Sequence, residues 1–234
     1  MTTGHAKTLI LHVSGLPGIE MEKMKIDLKD LNILIGQNGI GKSLVMKITW
    51  VLNTISQLIA MKQPNIEAQT QYILDHSIPD NGMLGNMSIE YTTGATVTVN
   101  LLEGKINGVH WVGFEKINEP TPVIYMSTEM RLFTSIKQYL ALRKVLGVEK
   151  MAEHYKLYDI IYVERLIQKA PMSITGVSAR SMLQMVNEGS NNELEKVEFS
   201  ETDFTGVWKD GSRKPLSQLG SGEQAVINMV LGGL

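Results

Sequence analysis

Apolar residues recur at Leu44, Ile48, Val51, Ile55 and Leu58, every three or four positions. That spacing lays one stripe along a helix and predicts helix from Lys42 to Ala60, with Pro64 just beyond its end. A second stripe, Leu132, Ile136 and Leu140 with Arg143, predicts a helix over Glu129–Leu146 closed by Gly147. Lys150–Lys169 reads as another helix stopping before Pro171, Ile66–Leu74 as helical, Ala179–Val186 as a short helix, and Ser77–Gly85 as loop. Elsewhere the period drops to two. Thr8–Val13 and Met24–Leu28, around the turn Ser14-Gly15-Leu16-Pro17-Gly18, predict an antiparallel hairpin behind a loose tail at residues 1–7. Met87–Tyr91, Ala95–Leu102 and Lys105–Phe114 predict a meander turning at Thr93-Gly94 and Glu103-Gly104. Glu193–Phe199 and Phe204–Lys209 are two more strands, followed by an Asp210-Gly211 turn. Two short unbroken apolar runs, Leu31–Ile35 and Pro122–Met126, fit buried strands of a central sheet.

This order predicts an α/β fold with a mixed central sheet, an antiparallel β lobe at 87–114 and a helical insert at 128–187. Residues 8–60 and 193–234 would form the core of a single head. The chain has 234 residues, 43% hydrophobic and 20% charged, enough for one large domain with a proper core. A net charge of −2 gives no global pull towards nucleic acid or anionic lipid. The absence of cysteine excludes disulfides, thiolate metal sites and a cysteine nucleophile. The five histidines show no metal-ligand spacing, and the fourteen scattered methionines read as core filling. Asp159 and Glu164, flanking Ile160-Ile161, loosely imitate a metal-binding strand end, but helical spacing explains that segment better. No apolar run reaches the ~20 residues of a membrane span and the N-terminus lacks a signal-peptide core, so a cytoplasmic protein is expected.

Candidate chemistry concentrates in Gly36-Gln37-Asn38-Gly39-Ile40-Gly41-Lys42-Ser43, which fits the phosphate-binding G-x-x-x-x-G-K-[ST] pattern. It lies between a predicted strand and a predicted helix, the context this loop requires. The glycines let backbone N–H groups approach phosphate oxygens, and the helix opening at Lys42 and Leu44 directs its positive end at the same anion. Lys42 would carry charge to the β- and γ-phosphates, and the Ser43 hydroxyl would ligate Mg²⁺. A second glycine turn opening a helix is Leu219-Gly220-Ser221-Gly222-Glu223, followed by Gln224 and the apolar run Ala225–Leu231.

Together these two motifs resemble the ABC-type ATPases, in the branch of chromosome-maintenance, RecF-like and OLD-like proteins. The resemblance is specific over residues 8–58 and 213–231, and includes Asn38 of the N-G-x-G-K-S form and the lead-in Ile26-Asp27-Leu28 to Leu31–Gly36. It implies a homodimer around two ATP molecules with Mg²⁺. The P-loop of one head and Leu219–Glu223 of the other would grip the same nucleotide. Gly220 stands where the family's signature has its phosphate-contacting serine, with Ser221 beside it. The family's Walker B aspartate, catalytic glutamate and switch histidine follow the signature helix, and Leu234 comes before them. The resemblance therefore implies the front part of a longer OLD-like ATPase, or a head that binds ATP without hydrolysing it unaided.

No sustained heptad run separates Ser43 from Leu219, which favours a compact head over a long coiled-coil arm. DNA repair, DNA processing or anti-phage defence is the expected setting, with DNA or a nuclease as possible partner. The nucleotide-binding subunit of a membrane transporter and a non-catalytic ATP-dependent interaction module are the alternatives. If Pro122–Met126 lies beside Leu31–Ile35, then Ser127, Thr128, Glu129 and Arg131 follow the strand end where ligands of an open α/β sheet sit, suited to Mg²⁺ or the γ-phosphate. Alternatively Ser127 and Thr128 only cap a helix, and Arg131 is solvated.

Overall fold

The structure, a computed structural model, describes residues 7–13, 24–28, 35, 41–78, 85–114, 123–169 and 194–233. The fold is mixed α/β, with two antiparallel sheets and helices, and the chain divides into two compact units, 1–123 and 124–234. Residues 8–60 and 193–234 thus fall in different units.

In the first unit, β1 (Lys7–Val13), β2 (Met24–Leu28), β3 (Met87–Tyr91), β4 (Thr96–Leu102) and β5 (Lys105–Val112) form one sheet in the order β2-β1-β3-β4-β5. The expected hairpin and meander are therefore one sheet, joined by the β1–β3 pairing Leu11↔Ile89. Ile89 lies opposite Val97, and Met87 opposite Val99, which faces Val109. All of these and Leu11 are buried. The β4–β5 turn has positive φ at both Glu103 (50°) and Gly104 (76°), the twist that a two-residue hairpin demands.

Helix α1 (Lys42–Ala60) covers β3 and β4, and α2 (Ile66–Ser77) packs beside it. Val45, Ile48, Val51, Leu52, Ile55 and Ile59 of α1 are buried, a wider stripe than the sequence periodicity implied. Each such side chain contributes about 1.5–3 kcal/mol of burial. Among the described residues α1 alone is long and apolar enough to cross a membrane, but half of that stretch is buried inside the fold. Gln71 of α2 fastens the β4–β5 hairpin: its Oε1 accepts the Ile106 N–H at 2.8 Å and its Nε2 donates to the Gly104 carbonyl at 3.3 Å.

Two expected central strands fare differently from the rest. Of Leu31–Ile35 only Ile35 lies within the described residues; it is outside any strand and 89% exposed. Residues 123–126 form no strand either. The Val123 N–H goes to the buried Asn53 Oδ1 of α1 at 3.1 Å, not to a ladder partner. Among the described residues every strand pairing is antiparallel, so the expected mixed central sheet is not seen.

The second unit holds α3 (Phe133–Leu146), a 3₁₀ turn at Val148–Glu153, α4 (Leu157–Lys169), a sheet of β6 (Leu194–Ser200), β7 (Asp203–Trp208) and β8 (Arg213–Pro215), and α5 (Ser221–Gly233). Phe133, Ile136 and Leu140 of α3 meet Tyr162, Val163 and Leu166 of α4, Val197 and Phe204 of the sheet, and Ile227 and Val230 of α5 in one core. The expected helix Lys150–Lys169 is split between the 3₁₀ turn and α4, and the proposed helix Ala179–Val186 lies outside the described residues. Arg143 binds Glu164 through two contacts of 2.6 and 3.0 Å, and Tyr139 donates to the same carboxylate at 3.1 Å. Burial first, and the Glu164 carboxylate next, hold the Tyr139 phenol well above its ordinary range.

A buried polar lock joins α4 to α5. The Tyr162 hydroxyl donates to the Asn228 side chain at 2.5 Å, and Asn228 Nδ2 donates to the Met130 carbonyl at 3.0 Å. Asn228→Ala strands that carbonyl and opens a small cavity, so it is expected to cost about 2–3 kcal/mol. Tyr162→Phe should cost about 1–2 kcal/mol, because Asn228 then lacks a donor. Urea melts of the two variants against the parent check both values.

Candidate functional site

Of the glycine-rich loop, Gly36, Gln37, Asn38, Gly39 and Ile40 lie outside the described residues. Its last three positions open α1. Gly41 has φ 88° and ψ 7°, left-handed backbone that a residue without Cβ adopts at little cost. Its carbonyl accepts the Val45 N–H at 2.9 Å, the first bond of the helix. The N–H groups of Lys42, Ser43 and Leu44 precede that bond and have no intrahelical acceptor. Ser43 is exposed, while Lys42 and Leu44 are half-buried. Glycine brings no side chain to cap this end, and α1 has no acidic residue in its first turn. The positive end of a 19-residue helix therefore carries no compensating charge of its own there.

The second glycine turn belongs to the other unit. Leu219 is half-buried, while Gly220, Ser221, Gly222 and Glu223 are exposed. The Gly220 carbonyl accepts the Gln224 N–H at 3.0 Å, which makes Gly220 the cap of α5. Glu223 folds back so that Oε2 accepts the Gly220 N–H at 2.9 Å, one arm of a capping box. Unlike α1, this helix start already carries an acidic side chain. A Cβ built at Gly222 meets nothing within 4 Å, so the front of the turn is open.

Behind the turn the backbone is anchored on several sides. Gln224, which is buried, accepts the Phe133 N–H at 2.8 Å and donates to the carbonyls of Leu219 at 2.7 Å and Ser217 at 3.2 Å. The Ser217 hydroxyl donates to Asp203 Oδ2 at 3.2 Å, the same oxygen that Lys137 of α3 pairs with at 2.9 Å. Gln224 follows the glycine motif directly, and the motif itself assigns it no role. Its signal was an amide directly after the glutamate in the first turn of an otherwise apolar helix.

The third group divides. Ser127 is buried; its hydroxyl donates to Asp159 Oδ1 at 2.5 Å and accepts the Met130 N–H at 3.2 Å. Thr128, Glu129 and Arg131 are exposed. These residues form a turn, and α3 starts only at Phe133, four residues later than expected, because the Phe133 N–H is taken by Gln224. Asp159 and Glu164 lie on α4, where they serve Ser127 and Arg143. Among the described residues no cluster of three or more His, Asp or Glu could hold a metal ion. No family model matches the chain, and no curated protein matches it.

Proposed function

We propose that this chain is an ATP-binding head of the ABC type that closes as a homodimer around two ATP molecules with Mg²⁺, in the cytoplasm. The observation that carries the reading is the start of α1: a left-handed Gly41 ending a glycine-rich motif, then Lys42 and Ser43 on an acid-free first turn. A triphosphate is the anion that the positive end of such a helix favours. In this reading the Gly36–Leu44 motif binds the phosphates, Lys42 neutralises the β- and γ-phosphates, and the Ser43 hydroxyl holds Mg²⁺. The Ser127 hydroxyl is engaged by Asp159 and the Met130 N–H.

The contrast between the two helix starts supports an order of events. The first turn of α1 has no acid of its own and takes the nucleotide first. The end of α5 is already compensated by Glu223, so it holds an anion weakly and engages only a phosphate presented by a second copy. ATP, and not ADP, would then join two heads, a switch suited to DNA repair, DNA processing or defence against phage. Sedimentation velocity tests this. The expected result is a monomer alone and with ADP·Mg²⁺, and a species of twice the mass with ATP·Mg²⁺. An unchanged mass at saturating ATP would overturn the dimer.

A further inference from the structure

We infer that Gln224 is the positioning residue of the Gly220–Glu223 turn, holding its first peptide plane in register with the start of α3. This rests on the functional reading above. The peptide between Leu219 and Gly220 is held at both ends by consecutive residues. Its carbonyl accepts from Gln224 Nε2 at 2.7 Å, and its N–H donates to Glu223 Oε2 at 2.9 Å. The two grips differ in kind. Glu223 is exposed, so its carboxylate is open to solvent and to competition from an incoming anion. Gln224 is 5% exposed, and its amide is fully committed: both N–H groups go to the Ser217 and Leu219 carbonyls, and Oε1 accepts the Phe133 N–H.

When a phosphate oxygen displaces Glu223 from the Gly220 N–H, the plane stays aimed because Gln224 still holds its carbonyl. The N–H groups of Gly220, Ser221 and Gly222 then converge on the anion without reorganising the loop, and preorganised donors bind more tightly than mobile ones. Gln224 itself is buried, whereas Gly220–Glu223 are exposed.

Gln224→Met keeps the volume and removes all three hydrogen bonds. Gln224→Glu keeps the acceptor for Phe133 but turns a carboxylate oxygen towards the two carbonyls. Both variants are expected to bind a fluorescent ATP analogue at the P-loop within twofold of the parent. Both should form the ATP·Mg²⁺ dimer at least tenfold more weakly. Burial against two carbonyls raises the carboxyl of Gln224→Glu, so lowering the pH from 7.5 to 5.5 returns one donor by protonation. Its dimerisation, relative to the parent at the same pH, should recover, while that of Gln224→Met should not. A purely structural role would lower the melting temperature and dimerisation together, in all conditions.

If the parent dimerises and both variants dimerise equally well, the inference alone is overturned. A parent that stays monomeric with ATP overturns the functional reading and this inference with it. Should both variants fail to fold, hydrogen exchange on the parent carries the test. ATP·Mg²⁺ is expected to slow exchange in residues 216–224 and at the start of α3 together, and protection confined to 216–224 would overturn the inference.

Discussion

Lys42→Ala is expected to weaken ATP binding by roughly a hundredfold while leaving the fold intact. Lys42 stands at the first position of α1, outside the apolar core that Val45, Ile48, Val51, Leu52 and Ile55 build. Its removal therefore opens no cavity in that core, and the fold should hold. A hydrogen-bonded charge lost from a triphosphate costs about 3 kcal/mol, or a factor of ~100. Titration calorimetry of parent and variant with ATP·Mg²⁺, beside a thermal melt of each, reads both quantities. Equal affinities would show that the Gly36–Ser43 motif does not hold the phosphates.

Gly222→Asp should separate folding from assembly even more sharply. The site has open space for the new side chain. An acid in the first turn of a helix is favourable by about 0.3–1 kcal/mol, and glycine is a poor helix former, so the melting temperature should hold or rise. Nucleotide binding at α1 should be unchanged. A carboxylate ~4 Å from a phosphate oxygen, however, costs ~4 kcal/mol at an effective dielectric of ~20, close to a thousandfold in affinity. The ATP-dependent dimer should therefore disappear at micromolar protein. A variant that dimerises like the parent would show that the α5 turn does not face the nucleotide.

The parts of this fold that were legible in the sequence are those whose causes are local. The bounds of α1 at Lys42–Ala60 follow from an unbroken helical stripe between Gly41 and Pro64, and β3 at Met87–Tyr91 from alternation between turn signals. What was not legible depends on partners far away in the chain. Phe133 begins α3 because Gln224, 91 residues later, takes its N–H. Residues 123–126 form no strand because Asn53, 70 residues earlier, captures Val123. The hairpin and the meander merge because β1 finds β3 across α1 and α2. β8 is three residues long and starts with two charges, too short for any periodicity to mark it. Both glycine motifs could be picked out from residue types alone. The clamp behind the second could not, since an amide gives no sign in sequence of which carbonyls it will reach.

Both substituted chains lose assembly for different reasons, and mixing them tests most directly that the two motifs act on one nucleotide from opposite heads. A pair of Lys42→Ala and Gly222→Asp chains has one composite site with both defects and one with neither. Equimolar mixing with ATP·Mg²⁺ is expected to yield a dimer by sedimentation where each variant alone stays monomeric. A parent that dimerises, beside a mixture that remains monomeric, would contradict the account.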